Sequence, residues 1–329
     1  MSISETAPFS QLTPDFVLDA IENLGFISDA RIFPLNSYEN RVYQVGIESE
    51  APLIAKFYRP QRWSDAQIIE EHQYSIDLNT LDIPIVPPMQ IDGETLFHYQ
   101  GYTFALYPRR GGHAPELDND DTLYTLGQYL GRIHALGKSE PFQHRPALDI
   151  AGFGHNSRQF LLEHAFIPKS LIDAYSTITE QLLEKIEARF QLIPYTSIRL
   201  HGDCHPGNIL WRDDKPNFVD LDDARSGPAI QDLWMLLSGE PERQLVQLSN
   251  LIEGYEMFND FQPKELGLIE SLRTLRLMHY AAWLARRWTD PAFPMHFPWF
   301  NTELYWSQHI SELREQLFAL DQPSLRLAP

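Results

Sequence analysis

Two short polar segments in the second half of the chain carry the side chains best suited to chemistry. Residues 201–208 read HGDCHPGN, and residues 218–223 read FVDLDD. The carboxylate and amide oxygens of these segments are hard ligands of the kind that bind Mg²⁺, and a carboxylate can also accept the proton of a hydroxyl group. These groups predict phosphoryl transfer from a nucleotide, because that reaction depends mainly on positioning and charge neutralisation.

The spacing within the two segments is that of a kinase catalytic loop. In protein kinases an asparagine follows the catalytic aspartate by five residues, and a Mg²⁺-binding aspartate comes after the next hairpin. Asn208 follows Asp203 by five residues, and Asp220 ends the next pair of strand-like runs. A simple polar turn would explain the glycine, proline and asparagine, but it requires no carboxylate at a fixed distance downstream. The spacing therefore favours a kinase-type site.

Chemistry of this type also predicts a lysine on the third strand of a small lobe and a helix glutamate that pairs with it. Lys56 fits the first position, because three apolar residues precede it directly in a strand-like run. The glutamate is either Glu70 or Glu71. Glu71 is preferred, since it shares its helix face with Leu78 whereas Glu70 shares its face with Asp77. A solvated helix face is the alternative for either residue.

The residues His201, Cys204 and His205 allow two other interpretations, a zinc site and a cysteine nucleophile. A structural zinc site needs four ligands, and the sequence offers no second cluster. A cysteine nucleophile needs a partner that the sequence does not identify. Both interpretations are disfavoured.

The elements around the two segments predict an α+β protein. Short apolar runs broken by polar turns predict five strands, at residues 31–35, 41–45, 53–58, 95–99 and 102–107. Helical spacing predicts a helix over 64–81 that is capped at Ser64. Beyond the glycine pair at 111–112 the pattern is mainly helical, with a β-rich interruption of three short strands at 197–223.

This order of elements predicts a bilobal, protein kinase-like fold. A small antiparallel β lobe with one helix precedes a larger, mainly helical lobe. We expect an N-terminal nucleotide-binding lobe over residues 1–108 and a C-terminal catalytic and substrate lobe over residues 109–329.

Composition and charge exclude several classes of partner. Lys and Arg total 26 against 45 for Asp and Glu, a net charge of −19 at pH 7. Such a charge opposes binding to nucleic acid and to anionic lipid, and no run approaches 18 consecutive apolar residues, so no nucleic-acid or membrane partner is expected. The N-terminal residues lack the pattern of a secretion signal, and the single cysteine cannot form an internal disulfide. We therefore expect a cytoplasmic, monomeric protein.

The residues in and around both segments resemble a known family. HGDCHPGN with FVDLDD is similar to the catalytic core of the aminoglycoside phosphotransferase and choline kinase-like superfamily. Five further stretches closely resemble the bacterial stress response kinase A family, and this similarity spans nearly the whole chain: NSYENRVYQV, AKFYRPQRW, EEHQ, VDLDDARSGPAIQDLWMLL and RRWTDPAFP. The resemblance implies a kinase with ATP as co-substrate and Mg²⁺ as cofactor.

The resemblance also implies a role for each matching residue. Asp203 is the catalytic-loop aspartate that accepts the proton of the substrate hydroxyl. Asn208 and Asp220 are the Mg²⁺ ligands, and Asp220 is therefore also part of the catalytic set. Lys56 and Glu71 are the ion pair of the ATP site.

Three positions near this core stay open or depart from the protein-kinase pattern. Ser37 lies where a loop that covers the ATP phosphates is expected. The loop at 36–40 contains no glycine, so the Ser37 hydroxyl must replace the phosphate contacts that glycine backbone makes in protein kinases. The alternative for this loop is a polar hairpin tip. Asp222 stands where protein kinases have glycine, and it either adds a carboxylate to the metal or caps the next turn. Asp232 resembles a structural aspartate that braces the catalytic loop.

Three kinds of function stay open. The resemblance implies a protein Ser/Thr kinase that acts on protein substrates, including itself, and the superfamily permits a small-molecule kinase of the aminoglycoside, choline or homoserine type. A regulatory pseudokinase is least favoured, because all five reactive positions carry competent residues. The excess of carboxylates predicts a preference for Ser or Thr near Lys or Arg.

Overall fold

A computed structural model describes residues 7–327, and these residues form two compact units. Unit 1 contains residues up to Pro115 together with two later segments, Phe142–Arg145 and Pro206–Ala224. Unit 2 contains Glu116–Pro141, Pro146–His205 and the chain from Arg225 onward. The segment that carries Asn208 and Asp220 therefore belongs to the unit of the N-terminal strands. The division of functions at residue 108 stays a prediction.

Unit 1 contains a five-stranded antiparallel sheet, as predicted. Its elements are α1 (Pro14–Glu22), β1 (Ser28–Leu35), β2 (Arg41–Ile47), β3 (Leu53–Phe57), α2 (Asp65–Thr80), β4 (Phe97–Tyr99) and β5 (Tyr102–Pro108). The strand order is β1-β2-β3-β5-β4, so β3 is the central strand. Lys56 lies on this strand, opposite Val42 on β2 and Ala105 on β5.

The core of unit 1 lies between α1 and the sheet. Val17 and Ile21 on α1 belong to one buried cluster with Val45, Phe57 and Phe104 on the strands. This packing fixes β3 from one side. Lys56 is therefore held on a rigid element.

Helix α2 begins where the sequence predicts. The Ser64 side chain accepts the backbone N–H of Gln67, and the Gln67 side chain accepts the backbone N–H of Ser64, which completes a capping box. The helix buries Glu71 and His72 and leaves Glu70 half-buried. Of the two candidate glutamates, Glu71 is therefore the more deeply buried.

Unit 2 is mainly helical. Its helices are α3 (Asp120–Gly137), α4 (Asn156–Glu163), α5 (Ile172–Leu192), α6 (Ile230–Trp234), α7 (Pro241–Tyr255), α8 (Ile269–Arg286), α9 (Ala292–His296) and α10 (Glu303–Ala319). Helices α3 and α7 approach closely because glycine lies on both: a Cβ atom at Gly127 or at Gly254 would come within 2.0 Å of a carbonyl oxygen of the facing helix. The predicted fold class, an antiparallel β part and a larger helical part, is confirmed.

The β-rich interruption differs in part from the prediction. The first predicted strand is β6 (Ile198–Leu200), but it pairs with an unpredicted strand, β7 (Arg225–Gly227). The other two runs, 208–211 and 218–220, face each other through a bridge between Ile209 and Phe218, and Leu210 and Asn217 exchange two backbone hydrogen bonds beside it. Within the described part of the chain, no helix is both long and apolar enough to cross a membrane.

Candidate functional site

Lys56 is the centre of a charged cluster in unit 1. Its Nζ atom lies 2.7 Å from Oδ1 of Asp220 and 3.4 Å from Oδ1 of Asp222. Burial alone would lower the pKa of Lys56, but the carboxylates of Asp220 and Asp222 outweigh burial and raise it. The ammonium therefore stays charged at every physiological pH.

Glu71 lies near this cluster but does not pair with Lys56. Among residues 7–327, the carboxylates within 4 Å of Lys56 Nζ are those of Asp220 and Asp222. Burial raises the pKa of Glu71 to about 7, while Lys56 acts in the opposite direction. The ion pair that the resemblance implies is thus not the contact seen here, because two carboxylates from a later segment already occupy the ammonium.

Glu70 has a different use. Its carboxylate accepts the backbone N–H groups of Gln143, His144 and Arg145. These hydrogen bonds hold the pKa of Glu70 below its ordinary value against the opposing effect of partial burial. Glu70 therefore anchors the 142–145 segment to α2.

A neutral hydrogen-bond network lies beside Lys56 and Glu71. The Tyr58 hydroxyl lies 2.8 Å from Nε2 of His72 and 3.0 Å from the Tyr107 hydroxyl. Burial, together with the Lys56 charge, lowers the pKa of His72 to about 3. His72 is therefore neutral, and the network adds no charge to the site.

Asp222 is a buried structural carboxylate. Its Oδ2 atom accepts a hydrogen bond from Nδ2 of Asn40 at 3.1 Å and a second from Arg62, whose other Nη atom donates to Asp223 at 2.8 Å. Burial would raise the pKa of Asp222, but Arg62 and Lys56 lower it. Asp222 is thus surrounded by protein donors. The side chains that face it are those of Asn40, Arg62 and Lys56.

The loop that the sequence places over the ATP phosphates is fixed through Asn40. Oδ1 of Asn40 accepts the backbone N–H of Arg59 at 3.1 Å, and the Ser37 hydroxyl donates to the Asn40 carbonyl at 3.2 Å. Asn40 and Arg62 were not predicted as site residues. A lone Asn or Arg in a sequence carries no signal that it will be buried against an aspartate far along the chain.

The backbone of Asn208, one of the two predicted metal ligands, is bonded to the residue that precedes Asp220, the other. The backbone N–H of Val219 donates to the Asn208 carbonyl at 3.0 Å, which brings Asp220 beside Asn208. Asp220 has a left-handed backbone conformation (φ 61°, ψ 62°), and its side chain is 52% exposed. Mg²⁺ uses only one or two protein ligands when phosphates and water supply the rest. The described residues contain no cluster of three or more acidic, His or Cys side chains that could hold a metal ion.

Asp203 lies in unit 2, next to two cationic or potentially cationic side chains. Nη1 of Arg276, on α8, donates to Oδ1 of Asp203 at 2.6 Å, and Nε2 of His205 lies 3.5 Å from Oδ2. The Asp203 side chain is 23% exposed. Arg276 was not predicted, because it lies 73 residues further along the chain in a helix that reads as core.

Asp232 braces the loop that carries Asp203. Its two carboxylate oxygens accept the backbone N–H groups of His201 and Gly202, at 2.8 and 2.9 Å, and one of them also contacts Nε2 of His134 at 3.1 Å. Burial would raise the pKa of Asp232. The hydrogen bond with His134, the electrostatic effects of His134 and His201, and the Gly202 N–H outweigh burial and lower it. Gly202 has φ +85°, a conformation that favours glycine. The brace implied by the resemblance is therefore present.

Cys204 is not suited to nucleophilic chemistry. It is fully buried, and burial together with Asp232 and Asp203 raises the pKa of its thiol. A thiol held in its neutral form is a poor nucleophile and a poor metal ligand.

Known proteins decide the family. Residues 31–266 match the model of the phosphotransferase enzyme family. The chain belongs to this family. Stress response kinase A of Escherichia coli (strain K12) is 46% identical over 321 residues, which cover 98% of this chain and 97% of that protein. The serine/threonine protein kinase RdoA of Salmonella typhimurium (strain LT2) gives the same identity and coverage. The resemblance predicted from the sequence is confirmed.

Solved structures of other phosphotransferases share the fold. An amicoumacin kinase in complex with AMP-PNP and Ca²⁺ matches with a TM-score of 0.74 at 19% identity, over 95% of this chain and 94% of that chain. A spectinomycin phosphotransferase in complex with ADP and spectinomycin matches with a TM-score of 0.64 at 16% identity, over 93% and 98% of the two chains. Family membership and kinase-named relatives thus support kinase activity for this phosphotransferase-family protein.

Proposed function

We propose that this protein is an ATP- and Mg²⁺-dependent kinase that phosphorylates Ser and Thr hydroxyls in proteins, including its own. The observation that carries the proposal is the 2.7 Å contact between Lys56 and Asp220, in a phosphotransferase-family chain whose Asp203 and Asn208 keep the catalytic spacing. Near-full-length relatives named as stress response and Ser/Thr protein kinases support a protein acceptor. We expect it to act as a cytoplasmic monomer.

Each residue has one task in this proposal. Lys56 binds the α- and β-phosphates, and the arrival of these anions releases Asp220 from the ammonium. Asn208 and Asp220 would then hold Mg²⁺, which neutralises phosphate charge when bound. Glu71, buried on α2, supports Lys56 through its field, and the Ser37 loop covers the phosphates.

Asp203 acts on the acceptor. The acceptor oxygen forms a bond to the γ-phosphorus while the bond from that phosphorus to the β-phosphate oxygen breaks, and ADP leaves. Asp203 orients the hydroxyl and accepts its proton. Asp232 keeps the loop in place through the N–H groups of His201 and Gly202.

A small-molecule kinase is the second candidate, since proteins of the same fold are named as kinases of amicoumacin and spectinomycin. One contact disfavours cationic acceptors such as aminoglycosides or choline. The guanidinium of Arg276 lies directly on Asp203, so a cation at the acceptor position meets a like charge.

The experiment incubates the purified protein with labelled ATP and Mg²⁺. One series contains generic acidic and basic proteins, and a parallel series contains an aminoglycoside, choline and homoserine. We expect phosphoserine and phosphothreonine, detected by mass spectrometry, in protein substrates and in the enzyme. Modification of a small alcohol without any phosphoprotein would favour the second candidate instead.

A further inference from the structure

Arg276 has an unusual environment for a surface arginine of an acidic protein. Its side chain is 41% exposed, and Asp203 is its only ion-pair or hydrogen-bond partner within residues 7–327. The contact uses one N–H group, from Nη1 to Oδ1 at 2.6 Å. A guanidinium carries five N–H donors in a planar fork, so four remain for another group.

The contribution of this pair to stability is small. Its side chains are 41% and 23% exposed, so solvent screens the charges, and the long arginine side chain must be ordered to make the contact. The pair also occupies an oxygen of the residue that must meet the acceptor hydroxyl. A cation at that place attracts an anionic group next to the acceptor hydroxyl and repels a cationic one.

The same face of α8 continues as an aromatic surface. Tyr280 and Trp283 follow Arg276 by four and seven residues, a spacing that places all three on one side of the helix. Their rings stack at 5.6 Å, and Tyr280 is 41% exposed. The exposed ring of Tyr280, stacked on a half-buried Trp283 beside a cation, suits a peptide segment that has apolar side chains and an anionic group.

We propose that Arg276 recognises the acceptor by binding an anionic group, a carboxylate or a phosphate, carried next to the reacting hydroxyl. The inference rests on the proposed function in one respect, that Asp203 meets the hydroxyl. A carboxylate or a phosphate accepts two parallel hydrogen bonds from a guanidinium. The contact with Asp203 uses one N–H group of Arg276, so the guanidinium keeps enough donors to bind such an anion.

This proposal reverses the preference for basic sites that the net charge of −19 predicts. A charge in direct contact acts with little screening, whereas carboxylates elsewhere on the surface act across solvent and are screened beyond about 8–10 Å at physiological salt. Arg276 therefore sets the preference at the acceptor position.

The test uses peptides of equal length with one central serine. Each flanking position in turn carries Asp, phosphoserine, Arg or Ala, and kcat/KM is measured for the wild type, Arg276→Gln and Arg276→Lys. Arg273→Gln is the matched control, because Arg273 lies one turn earlier on α8, pairs with Glu270 and stacks on Trp234 instead of contacting Asp203.

For the wild type we expect Asp or phosphoserine, at one or more positions, to raise kcat/KM about tenfold or more above Ala, and Arg to lower it. The ratio of kcat/KM for the anionic peptide to kcat/KM for the Ala peptide falls to about one in Arg276→Gln. It is partly retained in Arg276→Lys and unchanged in Arg273→Gln. The two anionic peptides separate a carboxylate from a phosphate as the preferred group. An unchanged ratio in Arg276→Gln, or an equal loss on every peptide, overturns the proposal, since the latter result means that Arg276 only aligns Asp203.

Failure of the proposed protein-kinase function gives a different result. If the wild type phosphorylates no peptide, the same variants are assayed on hydroxy acids and on amino alcohols. A preference for hydroxy acids that Arg276→Gln abolishes retains the role of Arg276 and rejects only the protein acceptor. A preference for amino alcohols, or no phosphorylation of either class, overturns the proposal.

Discussion

The ammonium of Lys56 bridges two carboxylates that differ in exposure, Asp220 at 2.7 Å and Asp222 at 3.4 Å. The Asp220 side chain is half exposed, whereas Asp222 is buried and bonded to Arg62 and Asn40. Asp220 can thus leave the ammonium for a cation while Asp222 stays. In the proposed function Asp220 would bind the metal and Asp222 would hold the lysine in place.

The first prediction concerns the metal. Asp220→Asn and Asn208→Ala should raise the Mg²⁺ concentration needed for ATP binding, with a larger effect for Asp220→Asn because it removes a full charge. Calorimetric titration of ATP at several Mg²⁺ concentrations measures this. Asn217→Ala, on the strand-like run before Phe218, serves as a control. A Mg²⁺ dependence equal to that of the wild type in both variants would show that these residues are not ligands.

The second prediction concerns Arg62. Removing its side chain in Arg62→Ala leaves Asp222 buried with a partner missing, and breaking such a buried pair typically costs about 3 kcal/mol or more of unfolding free energy. Arg31→Ala is the control, because the pair of Arg31 with Asp29 is exposed and its loss should change little. Urea denaturation of both variants provides the comparison. Equal stabilities would mean that the Arg62 network is not structural.

The third prediction concerns pH and Glu71. Its pKa is about 7 in the folded protein against an ordinary value of 4.5, so folding takes up a proton between these pH values and its contribution to stability is lost as pH rises through 7. Glu71→Gln cannot ionise. Its stability relative to the wild type should therefore increase between pH 5 and 8, by about 1–3 kcal/mol. A difference that does not change with pH in urea titrations would contradict the raised pKa.

The fourth prediction concerns the brace at Asp232. In Asp232→Asn one acceptor oxygen becomes an NH₂ group that faces a backbone N–H, so a buried donor loses its partner, at a cost of about 1–3 kcal/mol. We expect turnover to fall at least about tenfold while ATP affinity stays close to that of the wild type. The two quantities are measured by a coupled ADP assay and by calorimetry. A parallel loss of ATP affinity would show that Asp232 acts on more than the Asp203 loop.

Much of the fold follows from the sequence because its signals are local. The Ser64 capping box needs only residues three apart, and the short apolar and aromatic runs of β2, β3 and β5 need only the strand itself. Strand β7 was missed because Arg225–Gly227 has no apolar pattern, and it forms only by pairing with β6. The feature that makes this segment a strand is its contact with β6, which is distant in the sequence.

The same distinction applies to the site. Asp203, Asn208 and Asp220 could be predicted as site residues because a fixed spacing along the chain is visible in a sequence. The partners of the charged groups were not: Asn40 contacts Asp222 across 182 residues, and Lys56 contacts Asp220 across 164. A pattern at one position cannot tell which of several carboxylates will reach a lysine. For that reason Glu71 was assigned the contact that Asp220 and Asp222 make.

Phosphoryl transfer by Asp203→Ala is the most direct test of the central claim, that this chain is a kinase whose Asp203 acts on the acceptor hydroxyl. Initial rates of phosphoprotein formation are compared with those of the wild type, alongside ATP affinity measured by calorimetry. We predict a fall in transfer of about a hundredfold or more with ATP affinity nearly unchanged, since a general base of this kind typically contributes that much. Transfer within about tenfold of the wild-type rate would contradict the account.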